Sequence, residues 1–346
     1  MECVSAPPVS PDTSARGLRQ SYWRAWSGAL LAPSPAALRR WALAGVVTSA
    51  LIIMTGAAVR LSQSGLGCPD WPACTAHSIA ASGATGDSLI HRWVEFGNRL
   101  VTAAIFIVAI GVFIAAWRFR QADGQRRRDL LWLAAAQPGA IVLQALLGGL
   151  VVLTKLNPAL VSVHFLASVA LVAATVTLYV RCQEGSGRPR PLVPRLVQSC
   201  AAGVVGCIAL MMTAGTVVTG TGPLAGAADV ARYHLPLEGV TQLHADIGWL
   251  LGGLMAGLLI GLRLGHAPAR AIRLGWLLLG LILLQGVVGY TQYFTGLPAG
   301  LVWVHVTGSV AIWITALLLA YSLRDRGAQP LSQAPAANMP ADSFRT

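Results

Sequence analysis

LQALLGGLVVLT at 143–154, followed by VHFLAS at 163–168, is answered without a gap by LQGVVGYTQYFT at 284–295 and VHVTGS at 304–309. At this offset of 141 residues, Gln144 pairs with Gln285, Gly148 with Gly289, Thr154 with Thr295, His164 with His305 and Ser168 with Ser309. Self-similarity over that distance marks a repeated architectural unit. A histidine inside an apolar run is costly unless something binds it. Two at equivalent places therefore point to a pair of related intramembrane sites.

The composition agrees with a membrane setting. Of 346 residues, 55% are hydrophobic and 11% charged, a balance foreign to soluble domains. Eight apolar runs approach the roughly 20 residues that cross a bilayer core. They fall near 41–60, 97–117, 130–153, 160–181, 198–219, 243–262, 272–292 and 300–322. Helices are the expected spanning form, because lipid cannot satisfy open backbone groups and alternating strand-like segments are absent. Pro138-Gly139 in the third span predicts a kink without a break.

The net charge of +12 invites a nucleic-acid reading, but its distribution argues otherwise. With both termini inside, 20 of the 25 basic residues lie on inner segments, leaving Arg60, Arg92, Arg99, Lys155 and Arg232 outside. This positive-inside pattern orients eight spans, and no nucleic acid is needed to account for it. Twenty-four arginines to a single lysine, with abundant Ala and Gly, suggest a GC-rich bacterial gene and hence a bacterial cell membrane. No cleavable signal peptide is expected, since residues 1–36 are rich in Pro, Ser and Ala without an apolar core near Met1.

The fold class that follows is an all-α integral membrane protein, with eight transmembrane helices arranged as two pseudo-symmetric four-helix bundles. Four spans per repeat is an even number, so the halves share one orientation, as parallel tandem repeats do. The expected division is a disordered cytoplasmic tail at 1–36, a first half at 37–181, a linker at 182–197, a second half at 198–322 and a cytoplasmic tail at 323–346. Sites in such bundles are built from inward-facing side chains on facing helices.

Seven histidines sort by depth. His77, His234 and His266 fall in loops, whereas His164, His244 and His305 each lie one or two turns inside the outer end of a span. In the second half, His244 (TQLHADIGW) and His305 (WVHVTGSVAIW) sit on helices entering from the same face. Two imidazoles at one depth suit a haem ligated on both sides. Gly308 and Ser309, one turn on, are small enough for a porphyrin edge to approach. In the first half, the position matching His244 is Asn98, in EFGNR. Iron there has either one protein ligand, His164, or a second from His91, seven residues before Asn98 on nearly the same face. Glu95 serves as a rim cap favouring the helix dipole or as a proton acceptor. The outer basic residues, Arg99 among them, are placed to meet haem propionates or lipid headgroups. In SGLGCPDWPAC, Cys68 and Cys74 share a short outer loop whose oxidising location favours a disulfide, structural or redox-active.

Together, SGLGCPDWPAC, EFGNR, VSVHF, TQLHAD and WVHVTGS, in this order on eight spans across 41–322, resemble the haem A synthase family. That resemblance implies oxidation of the C8 methyl of haem O to a formyl group, giving haem A for terminal oxidases. It implies His244 and His305 as the ligands of a haem b relay. It further implies His164 as a ligand of the substrate haem, and Glu95 as that site's acidic residue. Much of the family reads E-x-x-H-R where this chain has Glu95-Phe-Gly-Asn98-Arg99, so the chain resembles an Asn-bearing branch. Expected partners are haem O, membrane lipid and, by resemblance, haem O synthase and the cytochrome oxidase assembly line. A homo-oligomer is left open. The competing reading is a non-catalytic haem-binding protein or a b-type electron-transfer cytochrome.

Overall fold

The computed structural model describes residues 33–81, 87–121 and 124–327. Of the expected tails at 1–36 and 323–346, residues 1–32 and 328–346 lie outside the described residues, while Pro35 already opens a helix and Arg324–Asp325 form a short strand. Eight long helices dominate: α1 Pro35–Leu61, α2 Asp87–Arg118, α3 Arg128–Leu153, α4 Pro158–Arg181, α5 Arg195–Thr221, α6 Leu237–Leu264, α7 Ala269–Phe294 and α8 Ala299–Tyr321. Each is long and apolar enough to cross a membrane. The shortest, at 23 residues, reaches about 35 Å at 1.5 Å per residue, beyond the ~30 Å hydrocarbon core.

The helix starts are written in the sequence. Ser34 caps α1, accepting from the Ala37 N–H at 3.2 Å, with Pro35 at the first position. Asn157 caps α4 in the same way ahead of Pro158. At both places a side-chain oxygen satisfies an orphan donor, and proline surrenders an N–H that would be unpaired anyway. The repeat extends to the turns: Lys155 and Leu156 after α3, and Gly296 and Leu297 after α7, all have positive φ. α3 continues through Pro138 without interruption.

Three helices start six or more residues earlier than hydropathy predicts. α1 begins at Pro35, α2 at Asp87 and α6 at Leu237, where the apolar runs start near 41, 97 and 243. The additional turns are too polar to register as membrane span. In α2 they lie against the outer loop, where a Cβ on Gly67 would sit 2.3 Å from the His91 carbonyl.

Within the first half, α1 packs on α2, α2 on α3, α3 on α4 and α4 on α1. In the second half, α5, α6, α7 and α8 close the same ring. Across the halves, α1 meets α8 and α4 meets α5, which are equivalent pairings, and α4 meets α8 near the pseudo-symmetry axis. Polar bonds stitch this seam. Trp313 Nε1 donates to the Val169 carbonyl at 3.1 Å, Trp303 Nε1 donates to the Met54 carbonyl at 2.9 Å, and Thr177 and Tyr321 share a 2.6 Å hydroxyl contact. Val169, Val172, Val176, Val204, Ile208, Leu251, Met255, Leu258, Val310 and Ala316 belong to one apolar core spanning the seam and the second bundle. Outward-facing side chains such as Trp132, Leu196 and Phe294 stay exposed, as lipid contact allows.

At the end of the bundles opposite the histidines, the linker pairs with the chain beyond α8. A two-residue strand β1 (Arg190–Pro191) runs antiparallel to β2 (Arg324–Asp325). A charged cluster lies alongside: Asp129 accepts from Arg127 and Arg181, and Glu184 accepts from Arg181 and Arg324. Arg127 and Arg181 are buried, so their charges depend on these carboxylates.

Candidate haem sites

In the second bundle, α6 and α8 carry His244 and His305 to a ring-centroid separation of 6.3 Å. Each ring rests on a glycine of a neighbouring helix. A Cβ on Gly215 would come within 3.3 Å of His244 Cε1, and one on Gly289 within 3.3 Å of His305 Cε1. The first bundle repeats half of this pattern, with a Cβ on Gly148 lying 3.4 Å from His164 Cε1. Glycine at these places lets an edge of the imidazole approach a helix backbone closely.

A clamp that sequence reasoning missed holds both repeat histidines. Gln285 Nε2 donates to the His305 carbonyl at 2.6 Å, and Gln144 Nε2 donates to the His164 carbonyl at 3.2 Å and to Ser168 Oγ at 2.7 Å. The signal was present, since the glutamines are themselves a repeat pair. Their partner is a backbone carbonyl, which no residue pattern advertises. The clamp also corrects the reading of Gly308. A Cβ there would sit 2.6 Å from Gln285 Oε1, so the glycine admits the glutamine and not a porphyrin edge.

Over the first bundle lies the outer loop at 62–81. Cys68 and Cys74 are disulfide-bonded. Glu95, only 6% exposed, accepts from the Cys68 N–H at 2.7 Å through Oε2 and from Arg99 at 2.7 Å through Oε1. Arg99 also donates to the carbonyls of Cys68 (2.8 Å) and Ala73 (2.9 Å). Both residues thus anchor the loop, and the propionate reading of Arg99 meets a guanidinium engaged with loop carbonyls. Arg60 donates likewise to Leu224 O, and Arg232 to Gly222 O. Trp71 seats on α3, where a Cβ at Gly149 would fall 2.4 Å from its ring. Gly149 neighbours the glycine beneath His164, so the loop closes over that histidine's side of the bundle.

The remaining candidates separate. His91 Nδ1 lies 2.8 Å from Ser64 Oγ, within the loop anchorage. The backbone carbonyl of Asn98 accepts from Thr102 Oγ1 at 3.0 Å, while its Oδ1 is buried without a hydrogen-bond partner. His164 Nδ1 and His305 Nδ1 are likewise buried and unpartnered.

In the second bundle the spacing of the two histidines suits a haem held between them, with their ring planes inclined at 61°. Two imidazoles on opposite faces of one metal, each with a metal–nitrogen bond of about 2.0–2.1 Å and a ring centre roughly 1.1 Å further, stand about 6.3 Å apart between centroids. The observed 6.3 Å agrees. Neutral imidazole is a ligand iron accepts axially. The orphaned, buried ring nitrogens on glycine cradles are otherwise unexplained polar groups.

Fold and site define an eight-span membrane protein of two four-helix bundles, each with a half-buried histidine whose carbonyl is held by a glutamine. The chain belongs to the COX15-CtaA family, described as cytochrome oxidase assembly protein, whose model matches residues 39–318. Its relatives include haem A synthases, which are oxidoreductases. That of Shewanella oneidensis is 24% identical over 326 residues, covering 80% of this chain and 94% of the relative. That of Lysinibacillus sphaericus is 36% identical over 129 residues, covering 37% of this chain and 39% of the relative.

Proposed function

We propose that this protein is a haem A synthase, oxidising the C8 methyl of haem O to a formyl group in a bacterial cell membrane. In this reading both termini face the cytoplasm and both haem sites lie toward the outer face. The observation that carries it is the His244–His305 pair at 6.3 Å, within a chain matching the family across 39–318.

His244 and His305 hold haem b, which when bound supplies a one-electron relay beside the outer surface. His164 is the protein's ligand to the substrate haem, set by Gly148 and by the Gln144 clamp. The long isoprenoid tail of haem O favours a site reached through lipid, where its apolar surface is never exposed to water. With water as the oxygen source, methyl to formyl releases four electrons and four protons; the electrons would leave through the relay haem to an external acceptor, and Glu95 would take up protons at the rim. The disulfide loop covers that carboxylate and keeps bulk water from it. Haem O synthase and the oxidase assembly line are the partners that would supply substrate and receive product.

The test is haem extraction and chromatography from cells making this chain with a haem O synthase, in a host that lacks haem A. Haem A is expected, and is lost in His164→Ala and His305→Ala. Haem O alone, with a low-spin b-type spectrum from the purified protein, would overturn the synthase reading in favour of a haem-binding or electron-transfer relative.

A further inference from the structure

We infer that Asn98 makes the first bundle a single-histidine haem site, with His164 the protein's one axial ligand and the opposite side of the iron open to a small exogenous molecule. The inference rests on the proposed reading of that bundle as a haem site.

Asn98 occupies the place of His244. Each lies 20 residues before the end of its helix, Asn98 before Arg118 and His244 before Leu264, on helices holding the same position in their rings. The facing helices register as well. Leu38, Ala42, Gly45, Ser49 and Ile53 are buried on α1, as Val197, Ala201, Val204, Ile208 and Met212 are on α5. That constant offset of 159 sets Gly56 opposite Gly215. In the second bundle, Gly215 backs the His244 ring. In the first, a Cβ at Gly56 would meet no atom within 4 Å. The glycine is retained while the imidazole it would accommodate is replaced by a shorter carboxamide.

That carboxamide does not substitute chemically. Imidazole suits iron, whereas neutral carbonyl oxygens suit harder ions such as magnesium and calcium. A buried Oδ1 without a partner is instead an acceptor awaiting a donor. A small hydrogen-bond donor such as water would satisfy it. His91, the other imidazole of α2, is excluded by position. It lies seven residues toward the helix N-terminus, about 10 Å along the axis. Its ring is bonded to Ser64, and a Cβ on Gly67 would sit 2.3 Å from its carbonyl, so loop and helix are in contact there.

The experiment is electron paramagnetic resonance and carbon monoxide binding on the full chain purified from a host making haem O. The expected wild-type spectrum contains a low-spin ferric haem and a high-spin one, and the reduced protein forms a carbon monoxide adduct at the second of these. Asn98→His should remove the high-spin signal and lower carbon monoxide binding at least tenfold. His91→Ala should leave both unchanged. Two haems per chain, both low-spin, would overturn the inference while sparing the haem reading. So would a high-spin signal appearing only in His91→Ala, which would make His91 the second ligand. One haem per chain, unaffected by His164→Ala, would overturn the haem reading of the first bundle and this inference with it.

Discussion

The backbone N–H of Cys68 donates to Oε2 of Glu95 at 2.7 Å, tying one end of the outer disulfide to a carboxylate on a membrane-spanning helix. Arg99 closes the arrangement by bonding the other oxygen of Glu95 and the carbonyl of Cys68. A carboxylate proposed for proton transfer is therefore also a mechanical anchor, and substitutions can separate the two roles. Charge-assisted hydrogen bonds of this kind contribute roughly 1.5–3 kcal/mol each. Glu95→Ala should speed reduction of the Cys68–Cys74 bond by an external thiol by about tenfold or more, measured by mass-tagging of released thiols. Glu95→Gln keeps an acceptor for Cys68. It should leave that rate within about threefold of the wild type while abolishing haem A output. Equal reduction rates in the wild type and Glu95→Ala would remove the anchoring role.

The glycine cradles predict a second outcome. Gly289 meets the His305 ring closely enough that even a Cβ would lie 3.3 Å from it. Gly289→Leu should displace the imidazole and eliminate the low-spin haem b, with helix content by circular dichroism unchanged. Gly148→Leu should leave haem b in place and remove haem A output. Haem b retained in Gly289→Leu would show that His305 does not need this cradle.

At the opposite end, Asp129 bonds two buried arginines, with Arg127 at 2.7 Å. Removing it leaves Arg127 and Arg181 short of a counter-charge. Asp129→Ala should destabilise the detergent-solubilised protein by roughly 1.5–3 kcal/mol, and Asp129→Asn by less. Thermal melts followed by tryptophan fluorescence measure this. No loss in either variant would mean that water replaces the carboxylate.

Cys182 follows α4 and is buried beside this charged cluster. Desolvation pushes its thiol up to about 12 from an ordinary value of 9.0. The thiol therefore stays protonated at pH 8, and its thiolate fraction is roughly a thousandfold below that of an exposed cysteine. Maleimide should label Cys182 only after denaturation, and peptide mapping would show this. Prompt labelling in native membranes would contradict the burial.

The residues differ in how much the sequence alone told about them. Hydropathy, proline and charge are local quantities, and a bilayer forces apolar runs into helices. Eight spans, the repeat and the depth of His164, His244 and His305 were therefore legible from residue order. The pairing of His244 with His305 was legible for a related reason, because helices entering from one face bring residues of equal depth to one level.

Other features depended on which groups meet across helices, which no local pattern encodes. Hydropathy placed the start of α2 ten residues late, since its first turns are polar and packed under a loop. Gly308 looked like room for a porphyrin until the fold put Gln285 there. Glu95 and Arg99 looked like rim charges, and became loop anchors only once Cys68 and Ala73 were brought over them. The sequence by itself determined the spans and the histidine depths, because membrane burial acts residue by residue. The tertiary structure decided the partners of Glu95, Gln285 and Asp129, because a hydrogen bond is a property of two groups and the chain brings them together only by folding.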